Sequence, residues 1–267
     1  MANVVYDNFY LSNEVEDQFD SHLDMMRFCT VDRTLEGTEG MKRLVNVYTA
    51  TDGTEKLTMG QGNSKSIEVG HTQREYNIEL AQNRFEWFDE EAMKDPMLVP
   101  VGMKHAGTDM FNTVNGDVFG EFEKATLTVE ATAFNFDAFV DAVAKLKLPE
   151  NAETEVFGWV SRSAKAALRK ALKDELKYVE AYARHGYIGT VCNVNLYDKE
   201  NAKDNEICIG TKAAVTAFIK KGTEVELVTK GTRSAEDANV RKNAALSRKY
   251  YVVALTNETQ AVRIVKS

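Results

Sequence analysis

The chain has 267 residues, 43% of them hydrophobic and 28% charged, and its 33 basic and 41 acidic side chains give a net charge of -8. This is a globular composition with room for one large domain or two small ones, and 3 prolines and 16 glycines exclude a collagen-like or low-complexity chain. The acidic balance argues against a free-standing nucleic-acid binder, which carries a basic face. No uncharged apolar run reaches the roughly 18 residues of a membrane span, and MANVVYDNFY has no basic-then-apolar leader. The expectation is a soluble chain, complete from Met1, with no membrane partner. Cys29, Cys192 and Cys208 are odd in number and lack CxxC spacing, so they read as small core residues in a reducing compartment.

In chain order, an arm leads to a short helix that Ser12 can cap, with Val15, Phe19, Leu23 and Met26 as a narrow apolar stripe on an acidic helix. Residues 36 to 84 differ. Leu44 to Thr49 is β-prone, Asp52-Gly53 is a hairpin-type turn signal, and Tyr76-Asn77-Ile78-Glu79-Leu80 alternates. Glycines at 37, 40, 53, 60, 62 and 70 punctuate a stretch with few large apolar side chains. It reads as a long two-stranded excursion. Such a hairpin is marginal in water unless another chain covers it.

Pro96, preceded by Asp89, Glu90, Glu91 and Asp95, marks the start of the next helix, where proline and acids suit the unpaired amides. That helix runs towards Lys124 with Val99, Met103, Ala106, Met110, Val114, Val118, Phe122 and Ala125 on one face. It is about 26 residues and roughly 40 Å long, a spine for other elements. A β-prone run follows at Leu127 to Ala133. Asn135 caps a helix bearing Phe136, Phe139, Val140, Val143 and Leu146, and Glu155 to Val160 reads as a buried strand. Ser163 caps a helix with Ala164, Ala167, Leu168, Ala171 and Leu172 inside. Gly186 to Val194 is a turn into a strand, Ile207-Cys208-Ile209 a strand, and Thr211 to Lys221 a helix closed by Gly222. Strands return at Val225 to Val228, Tyr250 to Ala254 and Ala261 to Val265, with Asn257-Glu258 in the last turn.

Catalytic patterns are sparse. His22, His71, His105 and His185 are scattered, and none has metal-ligand spacing. Gly60 to Ser66 lacks the Gly-Lys-Ser/Thr of a phosphate loop, Gly186 to Gly189 lacks the third glycine of a dinucleotide fingerprint, and Gly158 to Arg162 lacks the GxSxG spacing. Asp89-Glu90-Glu91 reads as a helix-start charge group rather than a cation site. Lys165, Arg169, Lys170 and Lys173, followed at once by Asp174 and Glu175, read as a solvated helix face. No catalytic, cofactor-binding or metal-binding residue is assigned, and no cofactor is expected.

The order of elements, together with Leu23 to Asp32, Gly40 to Arg43 leading into Val47 to Thr51, Gly186 to Val194, Gly210 to Val215 and Arg248 to Leu255, resembles the tailed-bacteriophage major capsid protein family, whose Hong Kong 97 capsid fold is shared with encapsulin shells. The resemblance implies an α+β fold with residues 1–35 as N-terminal arm, 36–84 as the extended loop lying over a neighbouring subunit, 85–134 as peripheral domain with the spine helix, 135–221 as an α/β axial domain and 222–267 as peripheral return strands. It implies hexamers and pentamers closing into an icosahedral shell around double-stranded DNA, assembled in a bacterial host's cytoplasm and residing in the virion. The resemblance implies a portal as a further partner, and an arm starting at residue 1 implies a separate scaffolding protein or none, without maturation by cleavage. Some members cross-link a loop lysine to an asparagine; Lys42, Lys56, Lys65 and Asn257 exist, but nothing marks a pair. Two alternatives stand beside this reading: an encapsulin-type compartment with protein cargo, and a small α/β enzyme working through Ser161, His185, Asp174 or Glu175.

Overall fold

The computed structural model describes residues 23–148, 154–171, 187–229 and 238–266. The helix expected after Ser12 falls outside them up to residue 22, and the stretch from Met25 to Phe28 forms one short 3-10 helix, its Met26 amide bonded to the Asp24 carboxylate at 3.2 Å. Next come β1 (Thr30–Asp32), β2 (Lys42–Ala50), β3 (Val69–Asn77) and β4 (Glu79–Phe88). Helices α1 (Asp89–Lys94) and α2 (Leu98–Glu123) follow, then β5 (Leu127–Ala131), α3 (Phe136–Lys145), β6 (Val156–Val160) and α4 (Arg162–Ala171). The chain ends with β7 (Tyr187–Val191), β8 (Val194–Asp198), β9 (Glu206–Thr211), β10 (Val215–Val228), β11 (Lys242–Leu255), a 3-10 turn (Glu258–Gln260) and β12 (Ala261–Lys266).

Among the described residues the strands form three sheets. One has the order β1-β10-β11-β4, a second β5-β12-β9-β6-β8-β7, and β2 pairs only with β3. The second sheet takes in β5 and β12 from either side of residues 135–221, while residues 215–221 lie in the first sheet. Helix α2 bridges the two. Its Val114, Val118, Phe119 and Phe122 pack on Phe157 and Trp159 of the second sheet and on Ala217, Ile219, Tyr251 and Val253 of the first. On the opposite face of the second sheet, Phe139 of α3 and Leu168 of α4 close over Val156, Val160, Leu196, Ile207 and Ile264.

Local chemistry accounts for the boundaries. The acids at 89 to 91 fill the first turn of the short helix α1 and not of α2, and the Phe88 amide bonds Glu91 Oε2 at 3.2 Å. Pro96 therefore sits between two helices, before the α2 start at Leu98. Pro100 lies in that helix's first turn, where its missing N–H has no partner to lose. Asn135 caps α3 as expected, accepting the Ala138 amide at 3.1 Å. Phe136 and Val140 face outward from α3, which buries Ala138, Phe139 and Ala142 instead. The cap of α4 is Ser161 rather than Ser163: its Oγ accepts the Ala164 amide at 3.1 Å.

Two expectations are corrected. Residues 211 to 221 are not a helix. They hold the end of β9, a turn in which the Ala214 amide bonds the Thr211 carbonyl at 3.1 Å, and the first half of β10. Gly222 lies inside that strand. Asp52-Gly53 does not turn the hairpin either. Thr51 and Glu68 remain bonded beyond the strand ends, and the chain reverses near Gly60, at φ +88°, where the Gln61 amide bonds the Thr58 carbonyl. Gly53 is required by close approach instead: a Cβ there would lie 2.6 Å from Ile67 Cγ1.

Candidate assembly interface

The β2–β3 ribbon runs in unbroken antiparallel register from Lys42 opposite Asn77 to Ala50 opposite Val69. Paired residues share a face, so one face carries Leu44, Asn46, Tyr48 and Ala50 beside Glu75, Gln73, His71 and Val69. All eight are exposed, with Tyr48 at 65% and Val69 at 63%. Tyr48 and His71 sit with ring centroids 5.9 Å apart. The other face carries Arg43, Val45 and Val47 with Tyr76 and Arg74, all partly covered. The alternation expected across 76 to 80 breaks at Ile78, which separates β3 from β4, is buried, and donates its amide to the Met41 carbonyl at 2.7 Å.

Among the described residues the ribbon is tied to the body near its root. Ile78, Phe218 and Ala254 form a small core there, with Leu35, Val45, Tyr76, Tyr250 and Val252 against it. Arg43 reaches Asp32 at 3.2 Å, Arg74 reaches Glu258 at 3.4 Å, and the Lys220 ammonium donates to the carbonyls of Leu35 (3.1 Å) and Thr38. Burial raises the Asp32 carboxyl, but the Thr34 amide at 2.8 Å and the Arg43 guanidinium outweigh it and hold it below its usual range. The tip is braced internally: Asn63 Nδ2 donates to the Gly53 carbonyl at 2.9 Å, and Ser64 and Lys65 both engage Glu55. Lys65 thus serves a side-chain brace and not a phosphate cradle.

Those residues considered for chemistry that the structure describes are dispersed. Ser161 is buried as a helix cap, its hydroxyl donating to Asp204 at 2.7 Å. His22, Lys173, Asp174, Glu175 and His185 lie outside the described residues. His71 stands on the ribbon and His105 on α2. On α4, Lys165 pairs with Asp198 at 3.1 Å, and Arg162 lies 4.0 Å from Glu200. Lys42 pairs with Glu75, and Asn257 caps the last 3-10 turn by accepting the Thr259 amide and hydroxyl. Burial pushes the Cys29 thiol up to about 11 and the Cys208 thiol up to about 12. Among the described residues no group of His, Cys, Asp and Glu could hold a metal ion, and no helix is long and apolar enough to cross a membrane.

Sequence reasoning found the ribbon and missed its root. Asp32, Arg43, Tyr76, Phe218 and Lys220 come from separate stretches, and the one local sign was the apolar Ile78 between two polar neighbours.

No protein-family model and no curated protein sequence matches the chain. Solved structures do. The capsid structure of cyanophage P-SCSP1u superposes with a TM-score of 0.72 at 12% identity, covering 92% of this chain and 89% of that one. The mature capsid of bacteriophage PhiM1 gives 0.72 at 11% identity, covering 99% and 92%. A virus-like particle from Pyrococcus furiosus gives 0.57 at 16% identity, covering 91% and 92%. The ribbon, the bridging helix and the two sheets of this chain therefore make up the α+β fold of tailed-phage capsid subunits, the Hong Kong 97 type.

Proposed function

We propose that this chain is a major capsid protein, a structural subunit that self-assembles as hexamers and pentamers into the icosahedral head of a tailed phage around double-stranded DNA. The observation that carries this reading is the ribbon, anchored at one end and exposing Leu44, Tyr48, Ile67 and Val69. A lone two-stranded ribbon is marginal in water, and its exposed apolar face gains stability when covered. Covering it with the body of a second copy makes a heterologous contact, and such contacts close into rings.

In this reading residues 1–35 are the arm, 36–78 rather than 36–84 the extended loop, since residues 79 to 84 pair with β11 inside the four-stranded sheet, and the sheet of β1, β10, β11 and β4 with α2 is the peripheral domain. The α/β unit around β6, β8 and β9 is the axial domain, completed by β5 and β12. A separate scaffolding protein and a portal are the further partners. The packaged DNA touches an acidic wall without sequence-specific contacts, since few phosphates are neutralised. The subunit assembles in the host cytoplasm and ends in the virion, and no catalytic step is assigned to it.

The test is electron microscopy of the chain expressed with its neighbouring scaffold gene. Closed shells of uniform diameter are expected; monomers independent of concentration in the presence of scaffold would reject the proposal. The match to the Pyrococcus furiosus particle favours a second reading, a compartment with protein cargo. Nucleic acid inside the particles selects the first, cargo protein the second.

A further inference from the structure

The edge of a β-sheet is a row of unpaired backbone donors and acceptors, and natural proteins blunt it with charges, glycines, bulges or short strands. Among the described residues the three sheets end in six edge strands, and five of these are blunted. β1 has three residues and ends in Asp32. β3 carries Gly70, Arg74 and Glu75, and β4 carries Glu79, Arg84 and Glu86. On β5 the Lys145 ammonium donates to the Thr128 carbonyl at 2.7 Å, with Glu130 two positions on. β7 slips register between Tyr187 and Gly189. The half of β10 that extends past β1 is blunted as well, by Lys221, Glu224, Glu226 and two register shifts.

β2 is the exception. From Leu44 to Ala50 it reads Leu-Val-Asn-Val-Tyr-Thr-Ala, with no charge, glycine or proline, and its register with β3 is unbroken. Branched and aromatic side chains favour the extended chain, and an uncharged strand of this length is a template for another strand. β3 occupies one of its edges. The other edge, about 24 Å long, has no strand on it among the described residues.

We propose that the free edge of β2 pairs with β2 of a second copy of this chain, antiparallel about a two-fold axis at Val47. A strand that pairs with itself in this way sets one residue opposite its own copy. With Val47 at the axis, Leu44 faces Ala50 of the second copy, Asn46 faces Tyr48, and Lys42 faces Asp52. Both ends then set an ammonium opposite a carboxylate, and no like charges meet between them. An axis at Asn46 sets Lys42 against Ala50, and one at Tyr48 sets Leu44 against Asp52, so both lose that pair. Lys42 already reaches Glu75 across the ribbon, but its side chain is 64% exposed and an ammonium has three donors. Opposite residues share a face, so the bare faces of two ribbons join over four strands, where two alone are marginal. Growth stops there, because the new outer edges are β3 with Gly70, Arg74 and Glu75. The contact uses the strand edge and not the bare face, and it does not depend on the capsid reading.

The test uses the full-length chain with Cys192→Ser, which leaves the two buried cysteines, and adds one cysteine at a time. At Val47 the two copies bring their Cβ atoms to about 5 Å, near the reach of a disulfide. At Thr72, which is exposed and lies opposite Val47 on β3, they stand three strand spacings apart, about 14 Å. Under oxidised glutathione, Val47→Cys chains are expected to link into covalent dimers and Thr72→Cys chains to stay single. A short bismaleimide gives the same contrast without the geometric demands of a disulfide. A second measurement leaves Val47 unchanged. Asp52→Lys and Lys42→Glu each set like charges opposite at both ends and weaken self-association in sedimentation roughly tenfold. An equal mixture of the two variants restores opposite charges at both ends, and with them the association. No linking at Val47 by either reagent, equal linking at Val47 and Thr72, or a mixture no stronger than its components overturns the proposal. Shells that form with Val47→Cys unlinked overturn the pairing and keep the capsid reading; linked dimers that build no shell do the reverse.

Discussion

Tyr76 of β3 stacks on Phe218 of β10, with ring centroids 5.3 Å apart and planes inclined by 23°. Phe218 is buried in the four-stranded sheet, whereas Tyr76 stands at the foot of a ribbon whose outer face is bare. The stack therefore fixes the angle at which the ribbon leaves the body. Aromatic pairs contribute about 0.5–1.5 kcal/mol beyond their buried area, so Tyr76→Ala is expected to cost about 1–2 kcal/mol in urea unfolding. Its larger effect falls on assembly: particle yield drops far more than the yield of soluble chain, and Tyr76→Phe restores both. Equal losses in the two yields would show that the ribbon's aim does not matter.

The ion pair between Asp32 and Arg43, at 3.2 Å, is the second tie at the root. The Asp32 carboxyl is held below its usual range in the folded chain, against the pull of burial, by Thr34 and Arg43. Its folded pKa is thus lower than its unfolded value of about 3.9, and the unfolded chain binds the extra proton first. The stability it contributes is full above that unfolded value and disappears as pH falls through the folded one. Asp32→Asn should therefore lower stability at pH 7, by a margin that shrinks as falling pH protonates the Asp32 carboxyl. Acid-titrated denaturant midpoints of the two proteins are expected to converge below pH 4. Parallel curves down to pH 2 would remove the pair from the root.

The outline of the fold was legible in the sequence where a single period governs a stretch. Val114, Val118 and Phe122 recur every four residues and mark α2, because one helix face meets one core. The ribbon was legible from its glycines and its lack of large apolar side chains. Residues 212 to 221 were not. Lys212-Ala213-Ala214-Val215-Thr216-Ala217-Phe218-Ile219 carries helix-favouring alanines. Its Ala214, Val215, Ala217, Phe218 and Ile219 are all buried, because β10 runs between β1 and β11 with core on both faces. A strand covered on both sides loses the period of two and reads like a buried helix. The start of β11 failed for a similar reason: Ala244, Ala245 and Leu246 are buried in succession.

The interface was half legible. That a two-stranded ribbon lies within residues 36 to 84 follows from the β-prone runs and the glycines. Which face is bare, and what holds the foot, depends on register and on contacts such as Lys220 with the Leu35 carbonyl, 185 positions apart. No local pattern encodes such a pair.

The cysteines give a direct check on the packing. Cys29 and Cys208 are buried, and burial raises their thiols to about 11 and about 12. Cys192 sits half-exposed at the turn between β7 and β8, at φ +48°. The thiolate is the reactive species, so a disulfide reagent at pH 8 should modify one thiol per native chain quickly, at Cys192, and all 3 only after denaturation. Cys192→Ser is expected to abolish the fast phase. A fast phase surviving in that variant would mean that the core beneath α2 or the β9 strand opens readily.

Ser161 separates a structural reading from a catalytic one. Its hydroxyl donates to Asp204 at 2.7 Å and accepts the Ala164 amide at 3.1 Å, which satisfies one of the unpaired donors at the start of α4. Hydrogen bonds from Ser163 and Ser161 hold the Asp204 carboxyl below its usual range. This is a cap and its buttress: the group that accepts the Oγ proton among the described residues is a carboxylate whose lowered pKa makes it a poor base. Replacing a serine cap by alanine typically costs about 0.5–2 kcal/mol. Ser161→Ala should fall in that range by urea unfolding, and Ser163→Ala, which leaves the Ala164 amide satisfied, should cost less. A fluorophosphonate probe is expected to leave Ser161 unlabelled in the native chain, as peptide mass analysis would read. Labelling at Ser161 would mean that the hydroxyl is reachable and activated, and would return the small α/β enzyme to contention.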